Sequence, residues 1–238
     1  MKNINHLKIK IFADGADREG MIEMAGKPFI SGLTTNPTLM NKAGVRNYKS
    51  FCLDILSVIK DKPISFEVFS DDFAEMERQA LEISGWGSNV YVKIPVTNTK
   101  REPTRGLIRN LARQGVKLNV TALMTVGQVN DVLQNLDSNV PSYISVFAGR
   151  VADTGYDPVP LMQAALELMR INPRAELIWA SPRELLNIIQ ADKIGCHVIT
   201  VTNDILKKLS LIGTNLEDYS LDTVKMFYND AQKAGFTL

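Results

Sequence analysis

Eight short runs of β-branched and apolar residues recur along the 238-residue chain, each followed by enough sequence for a helix, and this alternation restricts the fold to very few choices. The runs cover 7–14, 29–33, 64–69, 89–95, 116–120, 143–147, 176–180 and 197–201, with helical spacing over 17–26, 48–60, to about 84, 97–114, 125–136 and 158–170 between them. Helix starts are marked in several places. Asn36 before Pro37 can cap a helix, Ser70-Asp71-Asp72 precedes another, and Ser181-Pro182-Arg183-Glu184 has the form of a capping box with Pro182 as first helical residue. With no linker-like or low-complexity stretch, the pattern predicts an α/β chain folded as a single (β/α)8 TIM barrel over residues 1–238. An open doubly wound sheet is the alternative. It calls for a glycine-rich turn after the first strand, whereas Gly85-Trp86-Gly87 lacks a third glycine and precedes its strand. A last helix, about 221–233, lies beyond the eight units and is expected either to cover an end of the barrel or, the favoured choice, to pack on another subunit, making a homo-oligomer.

Charge narrows the partners. With 27 basic and 26 acidic residues there is no bulk attraction to nucleic acid or to an anionic membrane, so an anionic ligand has to be met by a local site. No apolar run approaches the roughly 20 residues of a membrane span, and the first residues lack the apolar core of a signal peptide, which together predict a cytoplasmic protein. Cys52 and Cys196 sit in separate apolar runs, as reduced core residues do. Only His6 and His197 offer imidazoles, so zinc chemistry is not expected.

Barrel enzymes build their sites from the C-terminal ends of the strands. Those ends carry Asp14, Asn36, Glu67, Lys93, Asn119 with Thr121, Ser145, and Ser181 with Arg183. Alternation places Tyr91 with Lys93, Ser65 with Glu67 and Asn119 with Thr121 on shared faces. Lys93 stands out, because burial disfavours an ammonium and can lower the pKa of a lysine by about 3–5 units, which is the condition for an amine nucleophile. An edge strand or a snorkelling side chain would account for it equally well. As a neutral amine, Lys93 could capture a ketone as a Schiff base and act as an electron sink while the neighbouring carbon–carbon bond breaks. Glu67 is the candidate acid/base, through a water held by Thr121, and Asp14 the candidate for the hydroxyl proton of cleavage. A Glu67–Lys93 ion pair that leaves the amine charged and inert is the competing role. Arg150, Arg183 and the backbone at Ser181 could hold an anion. Asp153-Thr154-Gly155 occurs once and outside the protease context, and Asn119-Val120-Thr121 lies in a strand, so neither the protease nor the glycosylation pattern applies.

Phe12-Ala13-Asp14, Gly32-Leu33-Thr34-Thr35-Asn36-Pro37, Val92-Lys93-Ile94-Pro95, Asn119-Val120-Thr121, Ser145-Val146-Phe147-Ala148-Gly149-Arg150 and Ala180-Ser181-Pro182-Arg183 together resemble the short transaldolases and fructose 6-phosphate aldolases. The resemblance implies a metal-free, cofactor-free class I enzyme acting on sugar phosphates, with Lys93 as its Schiff-base residue. It implies Asp14, Asn36, Glu67, Asn119, Thr121 and Ser145 around a dihydroxyacetone unit, Thr35 and Phe147 beside them, and Arg150, Ser181 and Arg183 near a phosphate. Glu67 and Phe147 stand where the aldolases of the family carry Gln and Tyr, which points to transaldolase. The chain departs from the pattern at Gly15, where a hydroxyl residue is commoner, and at Trp179 and Pro182 around Ser181. A free-dihydroxyacetone aldolase, an enzyme for another anionic sugar and a catalytically silent sugar-phosphate-binding barrel remain as alternatives.

Overall fold

The computed structural model describes residues 4–238, and in it eight parallel strands close into a barrel in sequence order. The elements are β1 (Lys10–Asp14), α1 (Arg18–Ala25), β2 (Ile30–Thr34), α2 (Pro37–Lys42), α3 (Tyr48–Val58), β3 (Ile64–Glu67), α4 (Phe73–Ser84), β4 (Val90–Pro95) and α5 (Arg105–Arg113). They continue with β5 (Leu118–Leu123), α6 (Val126–Leu133), β6 (Ser142–Val146), α7 (Ala148–Asp153), α8 (Pro158–Met169), β7 (Ala175–Trp179), α9 (Leu186–Lys193), β8 (Val198–Thr202), α10 (Asn203–Leu206) and α11 (Leu216–Ala234). The expected (β/α)8 barrel with an added C-terminal helix is the observed fold. No helix among the described residues is long and apolar enough to cross a membrane.

Two apolar layers sit on opposite faces of the strands. The larger, with Leu33, Phe66, Val92, Val120, Ile144 and Ile199, lies between strands and helices and supplies most of the buried area. The smaller fills the barrel itself with Phe12, Tyr143, Ile178, Ala180 and Val198, with Tyr91 and Phe147 packed against them. Phe12 meets Tyr143 edge-on at 5.5 Å, and Tyr143 meets Tyr91 at 4.4 Å. Gly32 makes room for this plug. A Cβ there would lie 2.5 Å from the Phe12 ring, and the β1–β2 register shifts between Ile11 and Phe12, beside that contact. The polar inward residues stand one layer higher, toward the C-terminal ends of the strands.

Several expected caps are present. Asn36 Oδ1 accepts from Leu39 N at 2.9 Å and Asp72 caps α4, both as expected, and α6 carries a further capping box of Thr125 and Gln128, beyond the helix starts marked in the sequence. The expected capping box at Ser181 is not. Ser181 has φ +60°, α9 begins only at Leu186, and Asn187 Oδ1 takes the amides of Arg183 (2.8 Å) and Glu184 (3.1 Å). The cause is a close approach from the neighbouring loop: an added Cβ on Gly149 would lie 1.5 Å from the Ser181 carbonyl oxygen, so backbone of the β7–α9 loop packs directly on α7. The stretch directly after β6 forms the short helix α7. Finally, α11 runs from 216 to 234, longer than the expected 221–233, and none of its residues is buried.

Candidate active site

A cavity of about 670 Å³ opens at the C-terminal ends of the strands, within the range of small-molecule sites. Asp14, Glu67 and Lys93 line it together with Thr121, Ser145 and Phe147. Register explains the grouping, since Glu67 pairs with Lys93 and Lys93 with Asn119 on successive strands, all facing inward at one level. Lys93 is only 5% exposed, which excludes the snorkelling and edge-strand readings. Its Nζ donates to the Thr35 carbonyl at 2.8 Å and lies 3.1 Å from Glu67 Oε2. The amine is thus held by one neutral acceptor and one carboxylate, a base within direct reach of its proton.

Asp14 completes the set from the side of β1. Its Oδ1 accepts from Thr34 Oγ1 at 2.8 Å, and the Thr34 hydroxyl in turn contacts that of Thr200. Burial raises the Asp14 carboxyl above its ordinary value, with the positive charge of Lys93 and the Thr34 hydrogen bond opposing the shift and the nearby Glu67 adding to it. Two carboxylates around one amine therefore occupy unlike environments, one ion-paired and one held by a hydroxyl. Such a division lets two carboxyls serve different proton transfers.

The remaining expected residues fall into three groups. Asn36, Ser145, Phe147, Arg150, Ser181 and Arg183 line the cavity as anticipated. Asn119 is fully buried in its wall, where Nδ2 donates to Ser65 Oγ (3.0 Å) and Oδ1 accepts from Ser145 Oγ (2.7 Å), so it fixes the Ser145 hydroxyl. Thr35 does not line the cavity. Its hydroxyl is buried on the Ser65 carbonyl at 2.9 Å, and only its own carbonyl reaches the site, through Lys93. The neighbouring Thr34 faces inward instead, because β2 alternates from Gly32, and Thr200 and Thr202 do the same on β8; the same alternation, applied to those strands, locates all three. Thr121 Oγ1 is buried and has no partner among the described residues. Directly after it Ala122 takes φ +65°, where the β5–β6 register shifts, a bulge at the rim of the site.

Two arginines reach the cavity from α7 and from the β7–α9 loop. Arg150 belongs to α7, and Arg183 forks onto Asp153 of the same helix, Nε to Oδ1 at 2.8 Å and Nη2 to Oδ2. That fork uses two of five guanidinium donors and fixes the plane of the rest. Lys42, near the end of α2, is a further cation at the rim that the strand-end reasoning does not reach.

Residues 11–238 match the family model described as Transaldolase/Fructose-6-phosphate aldolase. The chain is 31% identical over 233 residues, 97% of its length and 100% of the relative's, to a probable transaldolase of Thermoanaerobacter. It is 33% identical over 202 residues, 84% of its length and 90% of the relative's, to one of Dehalococcoides mccartyi, and 31% identical over 223 residues, 92% and 96%, to one of Nitrosopumilus maritimus.

Proposed function

The chain belongs to the transaldolase and fructose-6-phosphate aldolase family, and from that premise we propose that it transfers a dihydroxyacetone unit from a ketose phosphate to an aldose phosphate through a Schiff base on Lys93. The observation that carries this reading is the placement of Lys93 Nζ, buried in the floor of the cavity 3.1 Å from Glu67 and within a site shared with Asp14. Glu67 takes a proton from the amine, and Nζ attacks the ketone carbon. Loss of the carbonyl oxygen as water, with Glu67 returning the proton through a water on Thr121 Oγ1, leaves an iminium. Asp14 then accepts the proton of the hydroxyl next to the breaking carbon–carbon bond, the bond electrons pass into the iminium, and an aldehyde departs. The enamine left on Lys93 adds to an acceptor aldehyde by the reverse of these steps, and hydrolysis frees the lysine.

Arg150, Arg183 and the backbone at Ser181 hold the phosphate in this scheme, and Asn119 keeps Ser145 oriented toward the dihydroxyacetone hydroxyls. Glu67 and Phe147 favour transfer over release of free dihydroxyacetone, since a phenyl at 147 contributes no hydroxyl to guide water onto the enamine. Reduction with borohydride in the presence of fructose 6-phosphate adds the three-carbon fragment to Lys93 by mass, and products measured with and without erythrose 4-phosphate separate transferase from aldolase. A chain that acquires no adduct under those conditions lacks the proposed chemistry.

The same reading takes the chain as one domain working in the cytoplasm as a homo-oligomer. Its support for assembly is α11, about 28 Å long by helical rise, which buries none of its side chains while exposing Leu221, Val224, Phe227 and Tyr228.

A further inference from the structure

The last residue of β3 has hydrogen-bonding groups that no strand can satisfy. Pairing between β2 and β3 ends at Thr34 with Ser65, and the Ser65 carbonyl is taken by Thr35 N at 3.2 Å and Thr35 Oγ1 at 2.9 Å. Beyond that point β2 turns away into Asn36 and α2. Along a strand, the amide and carbonyl of alternate residues face the same neighbour, so the groups of Glu67 face the side that β2 has left. On the other side Val68 N is already bonded to the Lys93 carbonyl at 3.1 Å.

One side chain takes the place of the missing strand. Tyr48, the first residue of α3, donates its hydroxyl proton to Glu67 O at 2.7 Å and accepts from Glu67 N at 2.8 Å. A phenol has one donor and lone pairs to spare, so a single atom meets both backbone groups. The ring packs edge-on against Phe69 at 5.3 Å and against Trp86 at 6.2 Å. Burial raises the Tyr48 hydroxyl above its ordinary value, with a partly opposing contribution from the Glu67 backbone, so the donor keeps its proton at neutral pH.

We propose that Tyr48 is a positioning residue for the reaction: by clamping the Glu67 backbone on the unpaired side of β3, it sets the carboxylate at its 3.1 Å approach to Lys93. Among the described residues, no other side chain bonds the Glu67 main chain on that side. Tyr48 is outside the cavity and touches no reacting atom, so its effect passes entirely through Glu67. The inference rests on the acid/base role given to Glu67 above.

The test is a double-mutant cycle between Tyr48→Phe and Glu67→Gln, with kcat and KM measured for transfer from fructose 6-phosphate to erythrose 4-phosphate. A shift of Glu67 by about 1 Å predicts a fall in kcat of roughly ten- to a hundredfold for Tyr48→Phe, with KM within about twofold. In the Glu67→Gln background the same substitution changes kcat by less than about twofold, because the group it positions is already gone. The pH profile of Tyr48→Phe shifts only in the limb that Glu67→Gln abolishes. Phe69→Leu removes one exposed ring contact but keeps both hydrogen bonds of the Tyr48 hydroxyl, so it retains kcat whatever it costs in Tm and separates loss of the clamp from loss of stability. Equal losses in both backgrounds, an unchanged kcat in Tyr48→Phe, or a kcat in Phe69→Leu that falls in step with stability would each overturn the positioning role. A Glu67→Gln enzyme whose kcat and pH profile match those of the parent would instead remove the acid/base role of Glu67, and with it the premise.

Discussion

Replacing Gly149 by alanine tests whether the α7 and β7–α9 backbones jointly form the phosphate end of the site. The new Cβ would lie 1.5 Å from the Ser181 carbonyl oxygen and 2.6 Å from its carbon, where contacts under 3.0 Å do not occur, so one segment has to retreat by about 1.5 Å or more. Backbone is the obstacle on both sides, and no side-chain rotation relieves it. Ser181 already sits at φ +60°, which leaves it little conformational room to absorb the movement. Misplacement of a positioning group by about 1 Å is worth roughly 10²-fold in rate, so kcat/KM for a phosphorylated acceptor is expected to fall by about ten- to a hundredfold. Overpacking of this kind also destabilises by about 1–3 kcal/mol, or roughly 2–4 °C in Tm for each kcal/mol in a chain of this size. The assay is transfer from saturating fructose 6-phosphate to glyceraldehyde 3-phosphate and to unphosphorylated glyceraldehyde, with kcat/KM taken for the acceptor and the variant kept below its Tm. Preference for the phosphorylated aldehyde collapses while the rate with glyceraldehyde changes little. If both acceptors lose rate equally, or the preference survives, the two loops do not build the anion site.

Two further outcomes follow from the same geometry. Burial raises the Asp14 carboxyl, so the folded state binds that proton more tightly than the unfolded chain; the stability this contributes is present below the unfolded value near 3.8 and is lost as pH rises through the raised folded one. Asp14→Asn therefore melts higher than the parent at neutral pH, loses that advantage in acid, and loses turnover, which calorimetry across pH and the transfer assay check. On α11, Val224→Asp with Phe227→Asp places charge on the exposed apolar face and should reduce the mass seen by light scattering to that of one chain, leaving the circular dichroism of the barrel intact.

Much of the fold and its mouth is legible in the sequence because two short-range rules carry it. Period-two alternation decides which side of each strand faces inward, and the C-terminal position on the strand decides which inward residues meet solvent, so Asp14, Glu67, Lys93 and Ser145 follow without any long-range information. The same rules explain the Thr35 error. The motif draws attention to the pair Thr34-Thr35, but parity from Gly32 selects Thr34, and Thr35 serves the site with its carbonyl alone. Ser181 fails for a different reason. Its sequence satisfies the local rule for a capping box, yet the conformation goes with Gly149, whose missing Cβ lets the Ser181 backbone pack directly on α7.

Tyr48 shows where such reasoning stops and why. Its contribution is a pair of hydrogen bonds across 19 positions of sequence, to backbone groups whose need arises only because β2 departs two residues before β3 ends. Nothing in the composition of α3 marks the residue, since an aromatic at the start of an amphipathic helix is ordinary core. The requirement becomes visible only when every buried amide and carbonyl on β3 is assigned a partner. Stagger between neighbouring strands of a closed barrel generates these orphaned groups at the rim of the cavity, the place where side chains most need fixed directions. On the proposed mechanism, the loss of a strand partner beside Glu67 is thereby coupled to the geometry of Lys93, and a helix residue outside the cavity helps to set the 3.1 Å approach of the two side chains.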